Sequence, residues 1–162
     1  MKKISILLIS VLFALVLSCS NKSTSPGNND GNSTQNGIPL SQRAGTYSGD
    51  MNGMKLVIVL NDQAQVTSIT VNGSESIDSN NPIIIEEGAT YTGTTIKPFV
   101  AYVKMGNNSF PAVVKIYFKS ADDASQGATA KVQIGATDPS QFDENNAATP
   151  TVELTYAAPA AN

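Results

Sequence analysis

The sequence contains no histidine, no tryptophan and only one cysteine. Without histidine the chain cannot form Ser-His-Asp or Cys-His nucleophile systems, and zinc sites that rely on His and Cys are excluded as well. A single cysteine provides no internal disulfide, so a folded domain must be stabilised by its own core. The formal net charge of −3 is unsuited to nucleic acid, which requires a basic stripe. The composition therefore predicts no cofactor and no nucleic-acid partner.

The N-terminal segment has the pattern of an export signal. Lys2 and Lys3 precede an apolar run, Ile4 to Leu17, that only Ser5 and Ser10 interrupt. The run has about 14 residues, whereas a membrane-spanning helix needs roughly 20. We therefore expect a signal peptide and not a permanent membrane span.

The end of this segment, Val16-Leu17-Ser18-Cys19, resembles the lipobox of bacterial lipoproteins. The resemblance covers residues 1–19 and implies that a diacylglyceryl group is attached to Cys19 and that residues 1–18 are removed. It also implies acylation of the new amine, and several acyl chains together anchor a protein stably to a membrane. Ser20 stands where an aspartate would signal retention in the inner membrane, so the resemblance implies a cell-envelope protein of the outer membrane.

The composition changes twice after Cys19. Residues 20–43 are rich in Ser, Asn and Gly and predict a disordered tether, which at 24 residues reaches about 27 Å on average. From Ala44 onward, apolar residues recur at every second position. We therefore predict a signal peptide at 1–18, a lipidated cysteine and tether at 19–43, and one domain at 44–162.

The domain is predicted to be all-β. Alternation such as Val152, Leu154 and Tyr156 against Thr151, Glu153 and Thr155 indicates strands with one wet face. Short strands joined by tight turns predict a small antiparallel β-sandwich or a closed β-barrel of about eight strands. The run MKLVIVL, residues 54–60, lacks clean alternation and predicts a strand buried on both faces. The predicted strands are 45–50, 54–60, 65–72, 82–86, 90–95, 97–105, 111–119, 128–135 and 151–157.

Residues 44–60, AGTYSGDMNGMKLVIVL, resemble the first strands of calycin-type barrels, which begin with a glycine and an aromatic residue. The lipocalin tryptophan is missing. The resemblance implies a barrel architecture and, as one function, carriage of a small apolar ligand.

The loop 135–150 is long for a compact β domain and is a candidate site. Its oxygen ligands Asp138, Asp143 and Glu144 are of the kind that calcium prefers, although the EF-hand spacing is absent. Phe142 is either an exposed anchor for a partner or a cap on the open end of the core. Outside the loop, Tyr102 and Tyr117 are expected on the wet face of a hairpin, as a binding patch or as aromatic residues that stabilise the sheet.

Three functions follow, in decreasing order of expectation. The first is a non-enzymatic, membrane-anchored β domain that binds a protein or matrix partner, which predicts a solid core and a mobile loop at 135–150. The second is a carrier of a small apolar ligand, which predicts a cavity of about 300 Å³ or more. The third is a carboxylate- or metal-dependent hydrolase, which predicts converging carboxylates with shifted pKa values.

Overall fold

The computed structural model describes residues 37–78 and 80–160. The predicted signal peptide, Cys19 and most of the predicted tether lie outside these residues. The described part is all-β, as predicted, and its helical pieces are three 3₁₀ turns, none of which has the length and apolar character needed to cross a membrane. The strands are β1 (Gly45–Met51), β2 (Met54–Leu60), β3 (Gln65–Val71), β4 (Ser74–Glu75), β5 (Ile83–Ile84), β6 (Thr95–Met105), β7 (Asn108–Phe118), β8 (Ala128–Ile134) and β9 (Thr151–Ala157), and the 3₁₀ turns are Leu40–Arg43, Ala124–Gln126 and Pro139–Gln141.

The strands form one antiparallel sheet that is nearly closed into a barrel. Its order is β4-β3-β2-β1-β9-β8-β7-β6, with β5 paired to β3, so the first strand is paired with the last. The remaining edge, β6, packs against β3 and β4 without pairing with them in the described residues. The sheet therefore curls into a barrel with one open seam between β6 and β3–β4.

Alternating side chains fill the interior of this barrel. In β8, Ala128, Ala130 and Val132 are buried in the core, while Thr129 and Lys131 lie between them on the outer face. This alternation follows from the two-residue period of a strand. The predicted strands at 54–60, 128–135 and 151–157 are confirmed to within one residue.

The expectation that β2 is buried on both faces is wrong. Leu56, Ile58 and Leu60 point inward and are buried, whereas Val57 and Val59 lie half-buried on the outer face. β-Branched residues are favoured on a pleated surface even where it meets water, and this preference hid the alternation in the sequence.

Residues 90–95 do not form the strand that their pattern predicts. Only Tyr91 forms a bridge, to Ile96, before β6 begins at Thr95. The Tyr91 hydroxyl lies 2.9 Å from the carbonyl oxygen of Ile38 and 2.5 Å from that of Gly93. These tertiary hydrogen bonds draw the segment across one end of the barrel, and they override its strand propensity.

The two ends of the barrel differ in how they are covered. At the closed end, where β1 begins and β9 ends, the 3₁₀ turn Leu40–Arg43 packs into the barrel and both of these terminal residues are fully buried. At the free end, opposite it, lie the β1–β2, β3–β4 and β6–β7 turns. The packed part of the chain therefore begins before the predicted domain boundary at Ala44, because the apolar body of Leu40 and the buried Arg43 belong to the core and not to the tether.

Candidate functional site

The closed end is occupied by one buried arginine. The guanidinium of Arg43 donates hydrogen bonds to the Tyr91 hydroxyl at 2.7 Å and to the carbonyl oxygens of Gly93, Ser120 and Ala121 at 2.6–2.8 Å. Its central carbon also lies 4.2 Å from the centre of the Phe118 ring. Burial raises the pKa of the Tyr91 hydroxyl, so this tyrosine stays neutral and does not offset the charge of the arginine. The arrangement fills the interior at this end of the barrel with the Arg43 side chain and its hydrogen-bond partners.

The long loop between β8 and β9 folds back onto the outer face of the sheet. The Gln133 side chain donates to the Gln141 carbonyl oxygen at 2.9 Å and accepts from the Asp143 amide at 2.9 Å. Under this loop Val113 is fully buried, although its neighbours in β7 place it on the outer face and outside the core cluster. The loop is thus a second layer over β7 and β8, held by hydrogen bonds from the sheet.

Three of the predicted site residues, Tyr117, Phe142 and Glu144, meet in this second layer. The Tyr117 hydroxyl donates to Glu144 Oε1 at 2.7 Å, and the Lys115 ammonium forms an ion pair with the same oxygen. The Lys115 ammonium also lies 5.8 Å from the centre of the half-buried Phe142 ring. Burial, and then the nearby Lys131, lower the pKa of Lys115. Phe142 packs on the outside of the sheet and is not in the core cluster, so it does not cap the core.

Tyr102 lies far from this group. It shares the outer face of the β6–β7 hairpin with Tyr117, but it is paired with Pro111, six residues from Tyr117 along β7. At about 3.3 Å per residue the separation is about 20 Å. Tyr102 therefore belongs to the free end and is not part of one patch with Tyr117.

The predicted metal ligands serve as local hydrogen-bond acceptors. Asp138 accepts from the Ser140 amide at 2.7 Å, Asp143 accepts from the Asn145 amide at 2.9 Å, and Glu144 is paired with Lys115. In residues 37–78 and 80–160 no three His, Cys, Asp or Glu side chains are grouped as a metal site. The structure therefore does not bring Asp138, Asp143 and Glu144 together around an ion.

The pKa values of two carboxyl groups are shifted in the wrong direction for a general acid. Hydrogen bonds from Ser140 hold the pKa of Asp138 below its usual range, and hydrogen bonds from Gln126 and Ser125 do the same for Asp123. A carboxylic acid that protonates a leaving group near neutral pH needs its pKa raised by burial or by a like charge. These two carboxyls are consistent with turn and cap roles and not with hydrolase chemistry.

The free end carries most of the exposed large hydrophobic residues. Tyr102 is 55% exposed, Ile134 is 40% exposed and Phe110 is 36% exposed, and all three lie in adjacent rows near the ends of β6, β7 and β8. Met54 and Met105 lie half-buried at the same end and pack against the core. We call these five residues the free-end surface.

Sequence reasoning identified Tyr102 but missed Phe110 and Ile134. Both have the parity of inward-facing residues, since their neighbours Ala112 and Val132 are buried. They are exposed because their strands extend past the point where the barrel is covered. Their parity predicts burial, and their exposure depends on how the end of the barrel is covered, which the sequence pattern does not give.

The barrel has a small pocket at the free end. The pocket has a volume of about 180 Å³ and lies in the open seam, with Met54, Val71 and Met105 among its lining residues. A second depression of about 320 Å³ lies outside the barrel at the closed end, lined by Thr46, Val59 and Pro159 among others. Comparison of the chain with protein-family models, curated proteins and solved structures finds no match.

Proposed function

We propose that this protein is a lipid-anchored protein of the cell envelope whose barrel binds a protein partner through the free-end surface. The anchor is proposed on Cys19 and its resemblance to a lipobox, with the outer membrane as its location. The barrel has a non-enzymatic role in this proposal. The observation that carries it is the position of Tyr102, Phe110 and Ile134, because three of the four exposed large hydrophobic residues in the described part of the chain lie at this end. The fourth, Ile84, pairs with Gln65 at the closed end.

The filled interior supports binding at the surface over binding inside the barrel. The inward-facing side chains of the strands form one continuous core. The free-end pocket of about 180 Å³ is smaller than the roughly 300 Å³ expected for a small-molecule site. A carrier that encloses its ligand therefore has less support than a module that meets its partner on the outside.

The direction of the chain also supports the proposal. The segment Ile38–Arg43, which is the last part of the predicted tether, enters at the closed end. There the Ile38 amide donates to the Ala121 carbonyl oxygen at 2.9 Å. The free-end surface lies at the opposite end. Exposed aromatic and methionine side chains are the residue types enriched in protein interfaces.

The partner proposal is tested by photo-crosslinking in the intact envelope of the host. A photoreactive phenylalanine analogue at position 110 should give one discrete crosslinked product. The same analogue at Thr155, an exposed residue on the outer face of β9, should give none. An Ile134→Ser exchange in the position-110 variant should weaken the product at least about tenfold, as loss of an interface anchor does. Equal products from both positions would contradict the proposal.

The anchor is tested separately. Cys19→Ser should abolish incorporation of labelled fatty acid, because it removes the only thiol in the chain. Ser18→Thr, which keeps the cysteine, serves as a processing control. Continued labelling of the Cys19→Ser protein would disprove lipidation at this residue and would leave the crosslinking result standing.

A further inference from the structure

All methionines of the folded domain lie at the free end of the barrel. The chain has four methionines, and apart from Met1 they are Met51, Met54 and Met105. Met51 ends β1, Met54 begins β2 and Met105 ends β6, so two distant parts of the sequence bring their thioethers to one place. Each has the parity of the inward-facing residues of its strand.

The β1–β2 hairpin fixes the first two methionines as direct neighbours. Met51 and Met54 are partners across the strand pair, which places their Cβ atoms about 4.5–5.5 Å apart on one face. The two turn residues between them, Asn52 and Gly53, have φ angles of 55° and 81°. Positive φ at both positions is the geometry of a tight hairpin whose register cannot slip, so the pair is preorganised.

The third methionine reaches the pair across the open seam. Met54 and Met105 line the same pocket of about 180 Å³, together with the apolar Val71. Met51 is buried, whereas Met54 and Met105 are half-buried and reachable from outside. Met54 and Met105 therefore line a pocket that an ion can enter, and Asn72, Ser74 and Lys104 also belong to its wall.

We propose that Met51, Met54 and Met105 form a binding site for Cu(I). Thioether sulfur is a soft ligand that selects Cu(I) over calcium, magnesium and other hard ions, which need oxygen ligands. Met54 and Met105 at one pocket, with Met51 as the cross-strand neighbour of Met54, supply that donor set without histidine or cysteine. Methionine also serves as a flexible filler of irregular cores, and leucine would fill this role equally well. Exchanging methionine for leucine therefore removes copper binding and keeps the filling of the core, so the two roles can be separated.

The binding test uses the full chain with Cys19→Ser in detergent, so that no thiol competes for the metal. Cu(I) held by bicinchoninate under anaerobic, reducing conditions is the probe, and the protein should withdraw one equivalent. The triple variant Met51→Leu, Met54→Leu, Met105→Leu keeps Met1 and the apolar volume, and it should bind at least tenfold more weakly. Circular dichroism should show the same β fold in both proteins.

Two smaller variants keep the test decisive if the triple variant misfolds. Met105→Leu alone should weaken Cu(I) binding, because it removes the ligand supplied from across the seam. Lys104, an exposed residue that lines the same pocket, opposes a bound cation, and Lys104→Gln should therefore raise the affinity about twofold or more.

The outcomes that overturn the site are equally specific. Failure of the parent protein to withdraw copper, equal withdrawal by the triple variant, or weaker binding after Lys104→Gln would each exclude it. The site does not depend on the proposed partner, since leucine preserves the apolar character of the free-end surface. Copper withdrawal by the purified protein and crosslinking from position 110 in the envelope are independent measurements, so the two proposals can fail separately.

Discussion

The closed end and the free end of the barrel are built from different kinds of side chain. At the closed end the Phe118 ring packs 5.8 Å from that of Tyr47 and 6.1 Å from that of Tyr91, and Arg43 bonds to the surrounding carbonyls. Aromatic side chains have few rotatable bonds, and a planar guanidinium donates its hydrogen bonds in fixed directions. This end therefore has one preferred arrangement.

The free end has flexible and exposed side chains instead. Met54 and Met105 are half-buried there, and Phe110 and Ile134 extend into solvent. Methionine has three rotatable bonds and adapts to different neighbours. The difference indicates that stability is concentrated at the end where the chain enters, which leaves the other end free to change its contacts. Regions that bind are commonly drawn from the less stable parts of a protein.

The largest expected effect is the loss of the closed-end arginine. Arg43→Met takes one donor from each of the carbonyl oxygens of Gly93, Ser120 and Ala121, because methionine fills the space but donates nothing. Gly93 and Ala121 keep a second donor, the Tyr91 hydroxyl and the Ile38 amide. We expect a loss of about 3 kcal/mol or more in the free energy of unfolding, measured by urea denaturation. Lys97→Met, at an exposed position, is the control. A similar, small change in both variants would contradict the view that the closed end holds the fold together.

Two glycines, one at each end of the barrel, have nearly equal φ angles. Gly127 at the closed end has φ 77° and Gly53 at the free end has φ 81°. A Cβ added at Gly127 would lie 2.4 Å from the Leu154 carbonyl oxygen, whereas one at Gly53 would meet nothing within 4 Å. Both alanine variants carry the cost of positive φ, about 1 kcal/mol. Gly127→Ala should cost about 1–3 kcal/mol more, because its ψ of −160° is open almost only to glycine and because the added Cβ forces β8 and β9 apart.

The experiment is thermal and urea unfolding of the two alanine variants side by side. Because the cost of a positive φ is shared, their difference reports the ψ angle of Gly127 and the packing of the closed end together. If Gly53→Ala proved the more damaging exchange, the free end would be the more tightly constrained of the two, and the comparison would be reversed.

The next largest effect is expected at Glu75, a carboxylate in β4, the strand beside the open seam. Glu75 accepts hydrogen bonds from the Ser68 hydroxyl at 2.6 Å and from the backbone amides of Ile69, Ser76 and Ile77 at 3.0–3.2 Å. Burial, the largest single influence, raises the pKa of Glu75, but these hydrogen bonds together lower it below its ordinary value. The folded state thus prefers the charged form.

A lowered pKa in the folded state gives stability that is present above the ordinary glutamate pKa of about 4.3 and is lost as the pH falls through the lower folded value. Glu75→Gln should therefore cost about 1 kcal/mol at pH 7, and its difference from the parent should shrink below about pH 4. Urea denaturation at several pH values measures this. Glu86→Gln, at an exposed glutamate, is the control for removal of a carboxylate.

The sequence predicted the fold more fully than the candidate sites. Period-two alternation and turn residues were sufficient for the all-β class and for most strands, because both depend on local geometry. The closed end could not be predicted, since the contact of Arg43 with Ser120 joins residues 77 positions apart. The same holds for the free end, where Met54 and Met105 meet only through the curvature of the sheet. Tyr102 and Tyr117 were expected as one patch, because parity gives the face of a residue but not its position along a strand.

The smallest expected effect tests whether the loop on the outer face belongs to the stable or the adaptable part of the molecule. Glu144 holds this loop to Lys115, whose side chain is 17% exposed, whereas the Lys119–Glu153 pair is 45% and 69% exposed. Glu144→Gln should cost about 0.5 kcal/mol at low salt and less at high salt, because partly exposed ion pairs are weak and screened. Glu153→Gln, the control in the open pair, should have no measurable effect by urea denaturation. A loss from Glu144→Gln as large as that from Arg43→Met would place the loop within the stable framework, and stability would then no longer be confined to the closed end.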